Sequence, residues 1–182
     1  MAGNTAAGNL EGFVYNAMNS FYQTNISFTG QNMGARNYKR VIQILHICLA
    51  CVAVVGITLG GGFYLASGIL LRIYTSDPEV VRYGQLRMRY VCVPYFLCGL
   101  MDTMVGSLRG IGCSLIPMIV SLLGSCAFRI IWIYTAFAAT RSLAVLYCSY
   151  PISWGITFLA HLTCFIIVWN AHMKKVKSGE DW

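Results

Sequence analysis

A run of 31 residues, 41–71, contains no Asp, Glu, Lys or Arg, and it limits what this chain can fold into. A helix needs about 20 mainly apolar residues to cross the hydrocarbon core of a bilayer. The run is longer than that, so we expect tilt or a kink near Gly60-Gly61-Gly62. Only 10% of the residues are charged, against roughly 25% in soluble domains. The sequence therefore predicts an all-α membrane protein.

Five membrane-spanning helices are predicted from the apolar runs and the polar breaks between them. The predicted spans are 5–34, 41–71, 86–108, 114–138 and 143–171. Asp77 and Pro78 mark a helix start, because Asp is a common N-cap and Pro fits the first helical turn. The predicted membrane domain is 1–173, and a polar tail covers 174–182.

The basic residues between the spans predict the topology. Those at the ends of the first, third and fifth spans are Arg36, Lys39, Arg40, Arg109, Lys174, Lys175 and Lys177. These seven exceed the five Arg on the other side, which favours a multi-pass protein of the cell membrane with a cytoplasmic C-terminus. We therefore attribute the net charge of +7 to the basic residues that set the topology. Because the sequence contains no stripe of basic residues, we expect no nucleic-acid partner.

The first predicted span is amphipathic, with amides rather than charges on its polar face. The residues on that face are Asn9, Gly12, Asn16, Asn19, Ser20, Gln23, Ser27, Gly30 and Gln31. Those on the apolar face are Leu10, Val14, Ala17, Phe21 and Phe28. Such a face is typical of a helix that lines water or a substrate path. The alternative is a helix lying flat on the membrane, but such helices usually carry Lys or Arg, absent here before Arg36.

Ionisable residues within the spans are the candidate functional groups, because a charge at mid-bilayer costs at least ~3 kcal/mol. Asp102 is the first candidate for cation coupling; the alternative is a structural Asp that relieves a helix break near Gly99. Glu11, beside the polar face, is the second. Arg129 either balances Asp102 or extends to the surface, and we place it with the substrate-path candidates. The other path candidates are Tyr15, Asn16, Asn19 and Gln23.

Enzyme motifs are missing from the sequence, which contains no GxSxG, HExxH or Walker A pattern. Cys48 and Cys51 form a CxxC pair, but no second pair accompanies it and small apolar packing residues are the favoured interpretation. We therefore expect a protein that is not an enzyme, with no metal site and no cofactor.

Three segments resemble the multidrug and toxic compound extrusion (MATE) family. Residues 30–35 read Gly-Gln-Asn-Met-Gly-Ala, similar to the GQ-x-x-GA element that closes the second helix of each lobe. Residues 74–90 resemble the family's Tyr-Thr-x-Asp-Pro-Glu-Val loop, and residues 108–117 its LRG-x-G-x-x-x-x-P element. The motif residues are Gly30, Gln31, Gly34, Arg109, Gly110, Gly112 and Pro117.

The resemblance implies a twelve-helix, two-lobe transporter, of which this chain supplies helices eight to twelve in the C-terminal lobe. It implies antiport driven by H⁺ or Na⁺, with export of an organic cation or amphipathic drug. The partners are then the bilayer and the N-terminal lobe. Some members place an acidic residue eleven positions before the LRG arginine; that position is Cys98 here, and Asp102 follows one turn later.

Two other functions stay open at this point. One is a flippase for lipid-linked oligosaccharides from the same superfamily, whose cavity should be richer in Arg and Lys to hold pyrophosphate. The other is a non-transporting membrane module that assembles with a partner, since helices one to seven have no counterpart in this sequence.

Overall fold

The computed structural model describes residues 2–178, and every regular element in that part of the chain is a helix. The longer helices are α1 (Ala2–Gly34), α2 (Tyr38–Leu65), α3 (Ser67–Tyr74), α4 (Pro78–Val91), α5 (Phe96–Gly110), α6 (Leu115–Thr140) and α7 (Leu143–Ser178). A short 3₁₀ turn, Val93–Tyr95, joins α4 to α5 into one rod. The predicted all-α fold class is confirmed.

Four stretches of the described chain are long and apolar enough to cross a membrane. They are Tyr38–Leu65, Pro78–Gly110, Leu115–Thr140 and Leu143–Ser178. Helix α1, with 33 residues, is about 50 Å long at ~1.5 Å per residue and could also span a bilayer. Because of its polar face, α1 is less apolar than these four stretches. α1 thus differs from the other long helices in having a polar face, as its sequence predicts.

Sequence signals set several helix ends. The Asp77 side chain accepts a hydrogen bond from the Glu79 backbone N–H at 2.9 Å, and Pro78 is the first residue of α4, as predicted. The break in the long apolar run lies at Ala66 rather than at the three glycines. The helix continues through the glycines, and Gly60 is buried against the Cys92 carbonyl, where only a residue without a side chain fits.

Helix α5 occupies the centre of the bundle and packs against α1, α2 and α7. Its core residues include Met104 and Leu108, which pack with Leu45 of α2 and Phe165 of α7. Helix α6 lies at the outside of the bundle, where little of it is buried and α7 is its main neighbour. Two π-helical stretches, Leu122–Ala127 and Ile133–Phe137, interrupt α6. Its exposed Leu and Ile side chains are suited to contact lipid.

Candidate functional site

The polar face of α1 points outward. Its exposed residues are Asn9, Asn16, Ser20, Gln23, Ser27 and Gln31, and Asn19 is half-buried. Leu10 and Val14 on the opposite face are buried, which agrees with the predicted amphipathic pattern. Phe28 departs from that pattern, because it is half exposed at the edge of a groove of about 700 Å³ between α1 and α2. The structure therefore presents an amide-rich polar surface on the outside of this bundle, with the exposed Phe13 and Phe28 at its edge.

Asp102 lies half-buried on α5 near this face. The Asp102 carboxylate and the Tyr15 phenol of α1 are close enough to interact electrostatically. Within the described chain, no hydrogen bond or ion pair engages the carboxylate. The alternative role, relief of a helix break at Gly99, has no support in the geometry, because α5 is continuous there and the Gly99 carbonyl accepts from the Thr103 hydroxyl at 2.8 Å. Asp102 is therefore available to hold a cation or a proton.

Arg109 lies on the same rod as Asp102, but within the described chain the two side chains form no ion pair, since seven residues separate them along the helix. Its Nη1 atom donates a hydrogen bond to the Tyr22 hydroxyl at 2.6 Å, which ties α5 to α1. The positive charge of Arg109 still acts on Asp102 at longer range. Arg109 thus contributes to the electrostatic surroundings of the carboxylate and to the α1–α5 contact.

Two of the motif glycines, Gly110 and Gly112, are explained by a close contact and by a turn. A Cβ atom at Gly110 would lie 2.6 Å from the Thr29 Cβ atom, so α1 and α5 approach closely there, whereas a Cβ atom at Gly30 would make only an ordinary 3.7 Å contact with the Gly110 carbonyl oxygen. Gly112 has φ of 95°, in the left-handed region that favours glycine. The Cys113 N–H bonds to the Leu108 carbonyl at 2.9 Å, so Gly112 ends α5 in a Schellman turn. The other motif residues lie at helix ends: Gln31 and Gly34 in α1, Pro117 in α6.

A buried amide, Asn25, ties α1 to α5 beside the candidate path. Its Nδ2 atom donates to the Thr103 carbonyl at 2.7 Å and to the Ser107 hydroxyl at 2.6 Å. Its Oδ1 atom accepts from the Thr29 hydroxyl at 3.2 Å, and all four residues are buried. The sequence does not single out Asn25, because an amide that lines a path and an amide that joins two helices are the same residue type.

Glu11 lies in a second polar contact between α1 and α4. Arg87 donates from Nε to Oε1 of Glu11 at 2.8 Å and from Nη2 to Oε2 at 2.7 Å. Arg87 also donates to Asn4 Oδ1, which accepts a 3.4 Å bond from the Tyr147 hydroxyl of α7. The sequence alone does not predict the pairing of Glu11 with Arg87, although Arg87 falls within the predicted span 86–108. The available signal was one charge of each sign, on the first and third predicted spans.

Arg129 is held by α7 rather than by Asp102. Its Nε atom donates to the Ser153 hydroxyl at 3.1 Å. Its guanidinium lies 4.3 Å from the ring centroid of Tyr150 and 5.7 Å from that of Trp154. These are cation–π distances, and they explain how a mid-span Arg is accommodated without a carboxylate. The structure therefore does not bring Arg129 to the amide face of α1.

Comparison with known proteins identifies the family. Residues 1–135 match the family model described as MatE, about three quarters of the chain. The chain belongs to the MatE family. It is therefore a multi-pass membrane protein of a transporter family, and the predicted resemblance is confirmed.

Several known proteins are similar to parts or all of this MatE chain. "Probable multidrug resistance protein NorM" of Thermotoga maritima is 28% identical over 97 residues, which cover 53% of this chain and 21% of NorM. A crystal structure of a mutant of the Vibrio cholerae MATE transporter VcmN superposes with a TM-score of 0.79 at 20% identity, over 97% of this chain and 39% of that one. VcmN in a bent form gives 0.74 at 19% identity, over 96% of this chain and 39% of that one. The VcmN likeness supports the fold, and the chain spans well under half of each relative's length.

Proposed function

We propose that this chain forms helices eight to twelve of a cation-coupled antiporter that exports drugs or other xenobiotics across the cell membrane. The observation that carries the proposal is Asp102, a half-buried carboxylate that pairs with no group of the described chain and lies beside the exposed amide face of α1. A carboxylate in this setting binds H⁺ or Na⁺ favourably, because the cation removes an uncompensated charge from a poorly solvated site.

The substrate path of the proposed antiporter is the amide face of α1. Asn16, Asn19 and Gln23 offer hydrogen-bond donors and acceptors without fixed charge, and the exposed ring of Tyr15 offers a cation–π surface. Such a surface accommodates varied amphipathic molecules, and its proximity to Asp102 favours organic cations. Arg87 and Arg129 are both engaged by other side chains, which disfavours a pyrophosphate-bearing substrate.

The exposed amide face also supports an N-terminal lobe as the partner of this chain. An amide surface of this length is unfavourable in contact with lipid and needs water or protein beside it. The coverage of 39% of VcmN leaves a larger part of that transporter outside the matched region. We place the C-terminus of this chain in the cytoplasm, on the same side as the loop with Lys39 and Arg40, following the charge bias of the loops.

Asp102→Asn tests the proposed function. The variant should reduce export of a cationic dye to the level of a strain that lacks the locus, because Asn cannot neutralise an incoming cation. The substitution is made at the chromosomal locus, so that the polypeptide is tested as the cell produces it. Export is followed by dye fluorescence under imposed H⁺ and Na⁺ gradients, with protein amounts determined by immunoblot.

Asp77→Asn is the matched control for this experiment. Asp77 caps α4 in an exposed position, and Asn is an equally good N-cap, so export should stay at the wild-type level. Wild-type export with unchanged cation dependence in Asp102→Asn would remove Asp102 from the mechanism. If loss of the whole locus left dye export unchanged, the export function itself would be wrong.

A further inference from the structure

We propose that Arg87 is a positioning residue for transport: it neutralises Glu11 and fixes the rotation of α1, which leaves cation coupling to Asp102. The inference rests on the proposed function and narrows it, because Glu11 is the second carboxylate that the sequence offers for coupling. It assigns Glu11 and Arg87 to a structural tie between α1 and α4.

The geometry of the Glu11–Arg87 pair is that of a fixed contact. Two parallel N–H···O bonds of 2.8 and 2.7 Å join the guanidinium to both carboxylate oxygens. The side chains of Arg87 and Glu11 are only 16% and 7% exposed. Bidentate pairing of this kind sets the orientation of both groups. A cation at Glu11 would have to displace Arg87 and leave a buried guanidinium without its counter-charge, which is strongly unfavourable.

The residues around the pair are arranged to receive Arg87. Asn4, Gly8 and Glu11 recur at helical spacing on one face of α1. Arg87 lies over Gly8, where a Cβ atom would be 3.7 Å from Nη2, and its third hydrogen bond goes to Asn4. Tyr147 of α7 bonds to the same Asn4 oxygen. The tie therefore connects α1 to α4 directly and to α7 through Asn4.

Packing on either side of the pair leaves little room for rearrangement. Ala7 and Leu10 of α1 are buried against Val81 and Met88 of α4. At the start of the crossing Gly3 of α1 lies against the α4 backbone, because a Cβ atom there would be 3.1 Å from the Gly84 nitrogen. Close contact between two helices at glycine is sensitive to rotation. The ion pair thus fixes a crossing that is already tightly packed.

The rotation fixed by Glu11 determines where the path residues face. At roughly 100° per residue, Tyr15 lies about 40° around the helix from Glu11, and Gln23 about 120°. If α1 rotates about its axis at Glu11, the directions in which Tyr15 and Gln23 face change with it. The path residues lie between two polar ties to the Pro78–Gly110 rod, Glu11 to Arg87 and Asn25 to Ser107. Asp102 lies between the same ties on the rod, so its separation from Tyr15 depends on both.

A charge-removal cycle tests the proposal. Glu11→Gln and Arg87→Gln each leave one buried charge unpaired, so each should lower the Tm of the purified chain in detergent by roughly 6–20 °C and reduce dye export. The Glu11→Gln/Arg87→Gln double variant leaves no unpaired charge. It should recover most of the Tm and should export dye with the wild-type dependence on H⁺ and Na⁺. Arg87→Lys, which keeps the charge without the bidentate bond, should fall between wild type and Arg87→Gln.

Arg89→Gln is the matched control, because Arg89 is exposed two residues further along α4 and should tolerate the change. Loss of cation-driven export in a double variant of wild-type Tm would overturn the proposal and make Glu11 a coupling residue. A double variant no more stable than the singles, or singles that behave like Arg89→Gln, would also overturn it. If the locus exports no dye, the proposed function fails while the Tm cycle still decides whether the tie exists.

Discussion

Gly60→Ala should destabilise the folded chain by about 3 kcal/mol, whereas Gly61→Ala should be neutral or slightly stabilising. A Cβ atom on the buried Gly60 would overlap the Cys92 carbonyl oxygen and lie 3.4 Å from the carbonyl carbon. Because the obstacle is backbone, no rotamer change relieves it, and α2 has to separate from the rod that contains α4 and α5. Thermal unfolding of the two variants in one detergent measures the difference.

Gly61 is the control for this prediction because it is the next residue of the same helix but does not face the rod that contains α4 and α5. Apart from the adjoining residues of its own helix, no heavy atom of the described chain would lie within 4 Å of a Cβ atom at Gly61, and Ala has the higher helix propensity. Equal Tm changes in the two variants would contradict the prediction. They would indicate that the glycines act as a flexible kink, as the sequence suggests, and not as a packing surface.

The sequence predicts most of the helical framework because its signals are local. The charge-free run 41–71 requires a membrane, and Asp77 with Pro78 sets the start of α4 without reference to other helices. The glycines at 60–62 show where local reasoning ends. A glycine that bends a helix and one that lets a neighbour approach are the same residue type, and only the position of Cys92 distinguishes them.

Part of the candidate site could be predicted from the sequence, because helical periodicity determines which residues of α1 are exposed. The amides of α1 fall on one face at a spacing of 3.6 residues, so Asn16 and Gln23 could be placed before the structure was available. Asp102 stood out as a carboxylate within an apolar span. The partners of charged and amide groups were not predictable, because Glu11 and Arg87 are 76 positions apart and pair only after α1 and α4 have packed.

Asn25→Leu should destabilise the chain by about 2–4 kcal/mol, because it removes three buried hydrogen bonds worth roughly 0.6–1.7 kcal/mol each in a membrane. Leu has the same branched skeleton as Asn, so no cavity forms, but its methyl groups cannot approach the Thr103 and Ser107 oxygens to the 2.7 and 2.6 Å of the hydrogen bonds they replace. The Ser107 and Thr29 hydroxyls lose their partner on the neighbouring side chain, and α1 loses its buried tie to α5. Thermal unfolding of the purified chain measures the destabilisation.

Asn32→Leu is the matched control on the same helix. Within the described chain, the Asn32 side chain bonds only to the Phe28 carbonyl of its own turn, at 2.8 Å, so its loss should change the Tm little. Asn25→Leu should also reduce dye export at the chromosomal locus, since α1 can then shift relative to Asp102. Export and Tm like those of Asn32→Leu would contradict both the tie and its role in holding the path residues. A lowered Tm with unchanged export would restrict Asn25 to stability and leave the Glu11–Arg87 tie to set the rotation of α1.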